Sequence, residues 1–585
     1  PLIFLAAGFL LLGLAPFLPA GLFGIPEWRQ ELHALGVETG SLVAIQWKPA
    51  LESHLSYLLL FFSGLWILSQ RFSATATRNL AFAFVMCVAV YALISKGFED
   101  QIPVSQGRNF GFFPNRNHNS NLLSLGLACG LGAMFQAVRS KRYLSSGILL
   151  MANGIILWAI LSWNISRSGI VLCLAWVVVW LFLLGKHYFG RQEWKALGLV
   201  ALLVGGIYGI AEFGVKDRID ATLEKISGEE GGGVADSLKA DAPEGGVPFR
   251  EVDFRVPIAM DTAKMIADAP LTGVGAGQFR WVFPQYRHET IALPNNVAMH
   301  PESSWMWLAA ELGIPAVLCL LVLVVLLFRG GLANIKKRGN RDWALRLGCL
   351  VAAALVPLHS LFDVPAHRPS LYLAALFLFV LSQNPVEEEA EGAPVRRWPS
   401  FALAFLLVVA GVRLLGTSWF GWTPPHLVDS RERLNEGAAS YHQLSDFENP
   451  VPPFQALALR EEISKLAEAA AKEAPLDGRF YRLSALASLP IQFESEKTAR
   501  SFGIDRLLTP YSVKIPLLQA SAALFYDREV VEQGWSAALE RAKAIDEVRG
   551  KDAGELERVL RNVASAAKRN PELKEVAEEI AAKAK

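Results

Sequence analysis

The sequence predicts an all-α, polytopic membrane protein with about eleven transmembrane helices, a large loop between two of them and a helical C-terminal domain. Three observations predict it. Of the 585 residues 52% are hydrophobic and only 19% charged, against roughly a quarter charged in soluble domains. The apolar residues fall in runs near the ~20 residues that cross a bilayer. The last stretch of the chain then changes character and becomes rich in Ala, Glu, Lys, Arg and Leu at helical spacing. This composition excludes an ordinary soluble enzyme, a disordered chain and a collagen-like fibre. The net charge of +1, from 56 Lys and Arg against 55 Asp and Glu, leaves no basic excess for nucleic acid. Cys87, Cys129, Cys173, Cys319 and Cys349 all lie in apolar runs without C-x-x-C spacing, so they read as small buried hydrophobes, not as a disulfide framework or zinc site. The sequence begins at Pro1 rather than a methionine, which leaves room for a leading segment upstream.

The eleven expected spans are 2–23, 53–70, 77–95, 119–138, 143–163, 167–186, 194–213, 303–328, 343–361, 369–383 and 399–417. Basic residues collect in alternate loops: Arg71 and Arg78; Arg139, Lys141 and Arg142; Lys186, Arg191 and Lys195; Arg329, Lys336, Lys337, Arg338 and Arg341. Those loops share one side, which the positive-inside rule makes cytoplasmic. The opposite side receives 24–52, 96–118, 164–167, the loop 214–302, 362–368 and everything after 417. The expected domains are therefore a transmembrane part, 1–424, and a helical part, 425–585, outside the cytoplasm.

In the loop 214–302, Ser227 to Pro248 carries two glycine runs among acids and reads as a flexible linker. Phe254 to Asp268 places Val256, Ile258, Ala259, Ala263 and Ile266 near helical spacing and reads as a helix against the membrane face, ended by Pro270 and Gly273. In the tail, 455–474, 480–489, 517–525, 533–548 and 555–582 read as amphipathic helices. Two stretches, around Ala474 to Ala487 and Leu508 to Ala538, are similar to tetratricopeptide helix pairs, although no clean repeat emerges. The expected role of the tail is docking of a protein partner or an acceptor.

Ionisable groups at or within a membrane are expensive and default to functional candidates. They gather on the non-cytoplasmic side. The run from Asn115 through Asn121 opens the fourth span with Arg116, Asn117 and His118, donors at a helix N-terminus that suit an anion or a sugar, or else a capped and solvated helix start. Arg167 opens the sixth span; a guanidinium there either snorkels to lipid phosphate or turns inward to a pyrophosphate. Arg255 lies on the loop helix, and Arg287 follows it after Tyr286. His300 precedes the eighth span with Glu302 beside it; a neutral imidazole there suits a proton acceptor, while Pro301 and Glu302 are also ordinary helix-start signals. His359, Asp363, His367 and Arg368 flank the loop after the ninth span, where Asp363 orients a histidine or, more plainly, forms an interfacial ion pair.

Gly273 to Gly277 has the look of a phosphate loop, but it follows a helix, not a strand, and that reading is rejected. No metal-, nucleotide- or serine-hydrolase motif stands out, so neither cofactor nor metal is expected. The order of features does resemble a family: an Asn-rich span start, Ser166-Arg167-Ser168-Gly169, a large outer loop with Arg255, Asp268 to Phe279 and Tyr286-Arg287, His300-Pro301, then Trp307 to Pro315. Over roughly 100–385 the chain resembles the bacterial O-antigen ligase and O-antigen polymerase superfamily.

The resemblance implies a metal-independent, inverting glycosyltransferase of the bacterial inner membrane. It would take glycan from undecaprenyl pyrophosphate at the periplasmic face and pass it to lipid A–core, to another lipid-linked repeat or to protein. By motif position it implies that Arg167 and Arg255 hold the pyrophosphate and that His300 serves the acceptor hydroxyl. Arg116, Asn117, His118, Arg287, Glu302 and Asp363 are the expected substrate-binding set. The chain departs from the ligase pattern, which often reads His-Pro-His-Asn, by having His300-Pro301-Glu302-Ser303, so Glu302 is placed to orient His300 or polarise the acceptor. A transporter of lipid-linked glycans is the rival of another class; it would favour ionisable residues near the midplane and inverted repeats, whereas the polar groups here gather at one face. A scaffold presenting a helical domain would leave Arg167, Arg255 and His300 without a role.

Overall fold

The computed structural model describes residues 2–98, 110–113, 115–164, 166, 173, 255–287, 300–335, 342–383, 398–419, 424–444, 451–489, 495–510, 512–549 and 554–584. Among these the chain is helical, and the only β pairing is an isolated bridge between Pro19 and Leu42. The first half consists of α1 Leu2–Leu12, α2 Glu27–Ala34, α3 Trp47–Ser69, α4 Ala74–Gly97, α5 Arg116–Arg139 and α6 Tyr143–Trp158, the last extended by a π-helical turn, Ala159–Trp163. After the loop come α7 Arg255–Asp268, α8 Ser304–Leu312, α9 Ile314–Ile335, α10 Trp343–His359, α11 Pro369–Ser382 and α12 Trp398–Trp419. Five of these, α3, α4, α5, α6 with its extension, and α9, are long and apolar enough to cross a membrane. Leu2–Phe17, Trp343–His359, Pro369–Ser382 and Pro399–Val412 are shorter apolar helices. The expected spans 167–186 and 194–213, apart from Cys173, and the linker 227–248 lie outside the described residues.

The helix α5 is the centre of the bundle. In the apolar window of α5, 89% of residues are buried, against 22% for α3 and 17% for α9. Its neighbours are α4, α6, α10 and α11. Lipid supplies no hydrophobic drive between helices, so such packing relies on close van der Waals fit and small residues. Gly132 shows this directly: a Cβ there would lie 2.8 Å from the Cα of Gly348 on α10. The two helices run antiparallel and stay in contact along their length. Cys129 faces Cys349, Gln136 faces Asp342, and at the other end Asn121 faces His359.

One expected span divides. The apolar run 303–328 forms α8, breaks at Gly313, and restarts as α9 from Ile314. Gly313 has φ +82, and a Cβ there would meet the Leu271 carbonyl oxygen at 2.5 Å. The glycine-rich segment causes the break. Val274 N and Gly275 N donate to the carbonyls of Ala310 and Glu311, each at 2.9 Å, and Ile314 N donates to Pro270 O at 2.8 Å. The segment thus takes up the carbonyls that the end of α8 leaves open. Hydropathy could not show this, because both halves are apolar.

The loop helix appears as expected, with α7 starting at Arg255 and stopping at Asp268. It lies in a core that joins distant parts of the chain: Leu32, Val37 and Ile45; Ile258 and Met265 of α7; Phe279, Val282 and Phe283; and Leu476, Ile504 and Leu508 of the tail. Arg29, 3% exposed, organises the neighbouring loop by donating to the carbonyls of Thr39, Gly40, Leu42 and Val43.

The tail continues as α13 Pro424–Leu444, α14 Pro453–Glu473, α15 Gly478–Ser488, α16 Ser495–Leu508, α17 Lys514–Ala523, α18 Arg528–Arg549, α19 Glu555–Arg569 and α20 Lys574–Lys583. Most pack on the next in sequence. The stretch read as one helix over 555–582 divides at Asn570, which is extended and caps the Pro571–Leu573 turn through its side chain. Sequence periodicity missed α16, because its inward face mixes Phe502, Ile504 and Leu508 with the polar Thr498, Ser501 and Asp505. Asp505 on it is fully buried and receives Arg482 of α15 at 2.8 and 2.9 Å. The same helix reaches the membrane half: Arg500 Nη2 donates to Gly36 O at 3.0 Å and its Nε to Leu35 O. The tail is therefore packed against the loop elements that carry α7.

That packing makes a prediction. Ile504, 3% exposed, lies in the shared core, whereas Leu457 is 53% exposed. Ile504→Ala should cost about 2–5 kcal/mol, and Leu457→Ala should stay within about 0.5 kcal/mol of the parent. Unfolding midpoints of the purified protein in detergent check both.

Candidate functional site

The N-terminus of α5, the C-terminus of α10, the loop 360–368 and the turn before α8 meet on one face. The Asn-rich start of α5 is largely committed to holding that face together. Asn115 caps the helix, its Oδ1 accepting from Asn117 N at 2.8 Å. Asn117 Oδ1 accepts from the Ser166 hydroxyl at 2.7 Å. Asn119 accepts from the Tyr91 hydroxyl and donates to Phe113 O at 3.2 Å. Asn121 donates to Asn117 O at 3.0 Å and reaches His359 Nδ1. Asn164 ties the next segment in, donating to Arg116 O at 3.0 Å and to the Ser120 hydroxyl. Arg116 itself is exposed in the first turn, where donors and the helix dipole favour an anion.

Asp363 is the hub. It is 0% exposed. Its Oδ1 accepts from Val364 N at 2.6 Å and lies 3.6 Å from His118 Nε2, while Oδ2 lies 3.8 Å from His359 Nε2. Arg368 Nε donates to His118 Nδ1 at 3.2 Å. That bond makes Nδ1 an acceptor and leaves the His118 proton on Nε2, facing the carboxylate. Asp363 thus lies within ion-pair range of two histidines. Burial works to raise the Asp363 carboxyl, but His118, the charge at His359 and the Val364 amide outweigh it and bring it down to about 2.

His300 stands at the edge of this network, on a turn held to it from both ends. Ser304 N donates to the carbonyls of Ser360 and Asp363 at 2.9 and 3.0 Å, and Ser303 Oγ donates to Ser360 O at 3.1 Å. Glu302 has φ +54, a left-handed backbone that non-glycine residues seldom adopt and that collects at functional sites. The turn brings its Oε1 to 3.4 Å from His300 Nδ1. The His300 side chain keeps 22% of its surface exposed, whereas those of His118 and Asp363 keep none. Of these three, His300 alone can touch a substrate. Burial lowers its pKa; Asp363 pulls the other way, and Arg368 and His118 add to the lowering. The imidazole is thus neutral near pH 7 and able to accept a proton.

Behind His300 stands an aromatic group. Trp307 is 5.4 Å from the His300 ring, centroid to centroid, and stacks on His367 at 4.0 Å and 9°. Burial, with the charges of His300 and Arg368, pushes His367 down to about 3. Arg255, the first residue of α7, lies within electrostatic range of His359. Arg287 is buried at the end of the Phe283–Tyr286 turn, next to Tyr286, whose hydroxyl donates to Asp268 at 2.9 Å. Arg167 lies outside the described residues.

The fold therefore gathers His118, His300, Glu302 and Asp363 from the expected set with Asn121, His359, His367 and Arg368, which the sequence had also singled out, and adds Trp307, Glu311 and Tyr57. A signal existed for Glu311, the sole charged residue of the apolar run 303–328. None existed for Tyr57, which meets it from 254 positions away.

Titration follows from burial. Free His titrates near 6.5, and folded His367 near 3. Between those values the unfolded chain binds a proton that the folded chain refuses, so stability is full above about pH 6.5 and falls as pH drops toward 3. Asp363, held near 2 against an ordinary 3.9, adds a loss of the same sign below about pH 4. His367→Phe should flatten the upper part of that decline, measured as thermal midpoint against pH.

Residues 152–321 match the family model described as O-Antigen ligase. A search of the curated proteins found no match. The matched segment takes in Arg167, Arg255 and the stretch from His300 to Glu311. The match supports the resemblance to the O-antigen ligase superfamily read from the sequence, over the segment it covers.

Proposed function

We propose that the protein transfers a glycan from undecaprenyl pyrophosphate to an acceptor hydroxyl of lipid A–core at the periplasmic face of the inner membrane. The observation that carries this reading is the neutral, partly exposed His300, backed by Glu302 and standing beside a cluster that includes Arg368 and Arg255. Glu302 favours the tautomer with a proton on Nδ1, which leaves the Nε2 lone pair as base.

In the proposed step the acceptor hydroxyl gives its proton to His300 Nε2. Its oxygen forms a bond to the anomeric carbon as the bond from that carbon to the pyrophosphate oxygen breaks. Attack opposite the leaving group inverts the anomeric centre. The pyrophosphate departs with added negative charge, which guanidinium groups stabilise where it develops. Arg255 and Arg167 are assigned that part. No metal is assigned a part in the step. Arg116, Asn117 and Arg287 are assigned to the substrate's flanks, while His118 and Asp363 keep the face in shape. We read the tail as a tetratricopeptide-like domain, 425–585, that docks a protein partner or the acceptor beside the transmembrane part, 1–424.

His300→Ala, Arg255→Ala and Arg167→Ala should each lower transfer by at least about 10²-fold at unchanged membrane abundance. Full activity in all three would overturn the site. The glycan profile of a host lacking the protein tests the acceptor. Free undecaprenyl-linked polymer with bare lipid A–core supports the ligase reading. Core carrying a single repeat would replace it with a polymerase, and an unchanged lipopolysaccharide pattern would move the acceptor to protein or another glycan.

A further inference from the structure

Glu311 is a carboxylate with no solvent access, 0% exposed on α8. Its Oε1 accepts from Trp307 Nε1 at 2.7 Å and from Phe279 N at 3.3 Å. Its Oε2 accepts from the Tyr57 hydroxyl at 2.8 Å, and the Gly277 amide donates to it as well. All four partners are donors, so each lone pair that burial cuts off from water is met by the protein. Leaving such donors unmet in a low-dielectric interior is costly, so the arrangement is stiff.

What Glu311 holds matters more than what it is. Trp307, pinned through its indole N–H, is the ring that touches both His300 and His367. Tyr57, pinned through its hydroxyl, meets His367 edge-on at 5.9 Å. Phe279 and Gly277 belong to the segment that leads from α7, and Arg255 opens that helix. One carboxylate thus joins α3, the loop after α7 and α8 to the wall behind the imidazole. The stack on His367 holds the face of the Trp307 ring, and the Glu311 bond ties down its N–H edge.

We propose that Glu311 is a positioning residue for glycan transfer, acting through Trp307 to hold the His300 ring at the angle the acceptor requires. The inference rests on the role proposed for His300. Glu311 does not touch substrate. Misplacing a reacting group by about 1 Å costs on the order of 10²-fold in rate, and a released indole allows that much play. The groups that face His300 are Glu302 on its own turn, Asp363, His367 and Arg368 from the loop after α10, and His118 from α5. Trp307 helps keep water from the ring they surround.

The test uses the full-length protein in lipid nanodiscs with a lipid-linked glycan donor. It compares the parent with Glu311→Gln, Glu311→Ala, Trp307→Phe, the Glu311→Ala/Trp307→Phe double variant and His300→Ala. Readouts are kcat, donor KM, the acid limb of the pH profile and the thermal midpoint. Glu311→Gln keeps an oxygen for Trp307 and Phe279 and turns its amide to the Tyr57 hydroxyl, which can also accept. It should retain activity within about fivefold, while Glu311→Ala loses about 10²-fold in kcat with donor KM nearly unchanged. In Glu311→Ala and Trp307→Phe the acid limb should move up toward the ordinary histidine value of about 6.5, and the double variant should be no worse than Glu311→Ala alone. A loss in Glu311→Ala that merely tracks the folded fraction, with the acid limb unmoved, would overturn the proposal, as would additive losses in the double variant. Full activity in His300→Ala would instead overturn the reading of the site itself, whatever Glu311 does.

Discussion

At Gly132 and Gly348 the backbones of α5 and α10 come together without side chains between them, and the site depends on that contact. It sets an antiparallel register along both helices. An equal number of residues back from Gly132 and on from Gly348 brings Asn121 opposite His359. A few positions further, His118 meets Asp363. A larger residue at either glycine would meet backbone at 2.8 or 2.9 Å, so the helices would have to move apart. Interhelical hydrogen bonds in membranes average only about 0.6 kcal/mol, too little to hold this geometry alone. Close packing holds the helices, and the hydrogen bonds select which side chains face which.

Two buried carboxylates then divide the work. Asp363 gathers the polar side of the face, with His118, His359 and, through His118, Arg368. Glu311 gathers the aromatic side, with Trp307 and Tyr57. Each lies where a charge without donors would be prohibitive, so each compels distant segments to converge on it. His300 stands between them and keeps part of its surface open. Burial keeps that imidazole neutral, with Arg368 and His118 adding to the lowering and Asp363 opposing it.

The tail alters the view of this protein as a membrane part with an appendage. Leu476, Ile504 and Leu508 complete a core with α7 and the turn after it, so the helix that starts at Arg255 is fastened from two sides. The glycine-rich segment that follows α7 closes α8 through backbone bonds. The elements outside the apolar helices form one connected mount for Arg255, Trp307 and Glu311.

By itself the sequence determined the helical class, the apolar runs, the loop helix from Arg255 to Asp268, most tail helices and a family resemblance that the match over residues 152–321 supports. Each is written in local order, as hydrophobic period, breakers or a motif string. It also singled out His118, His300, Glu302 and Asp363, because an ionisable residue at the edge of an apolar run is conspicuous. Only the tertiary structure decided what these residues do. The division of 303–328 at Gly313 comes from a segment forty residues away in the chain docking on α8. The helix Ser495–Leu508 escapes periodicity because polar residues interrupt its buried face, among them Asp505, which Arg482 of another helix satisfies. The asparagines that look like a ligand-binding run are mostly spent on Ser166, Phe113, Tyr91 and His359. Tyr57 carries no mark at all. Periodicity and motifs report which residues want burial or charge; which partner each one meets is set by long-range packing, and that information lies between positions, not at them.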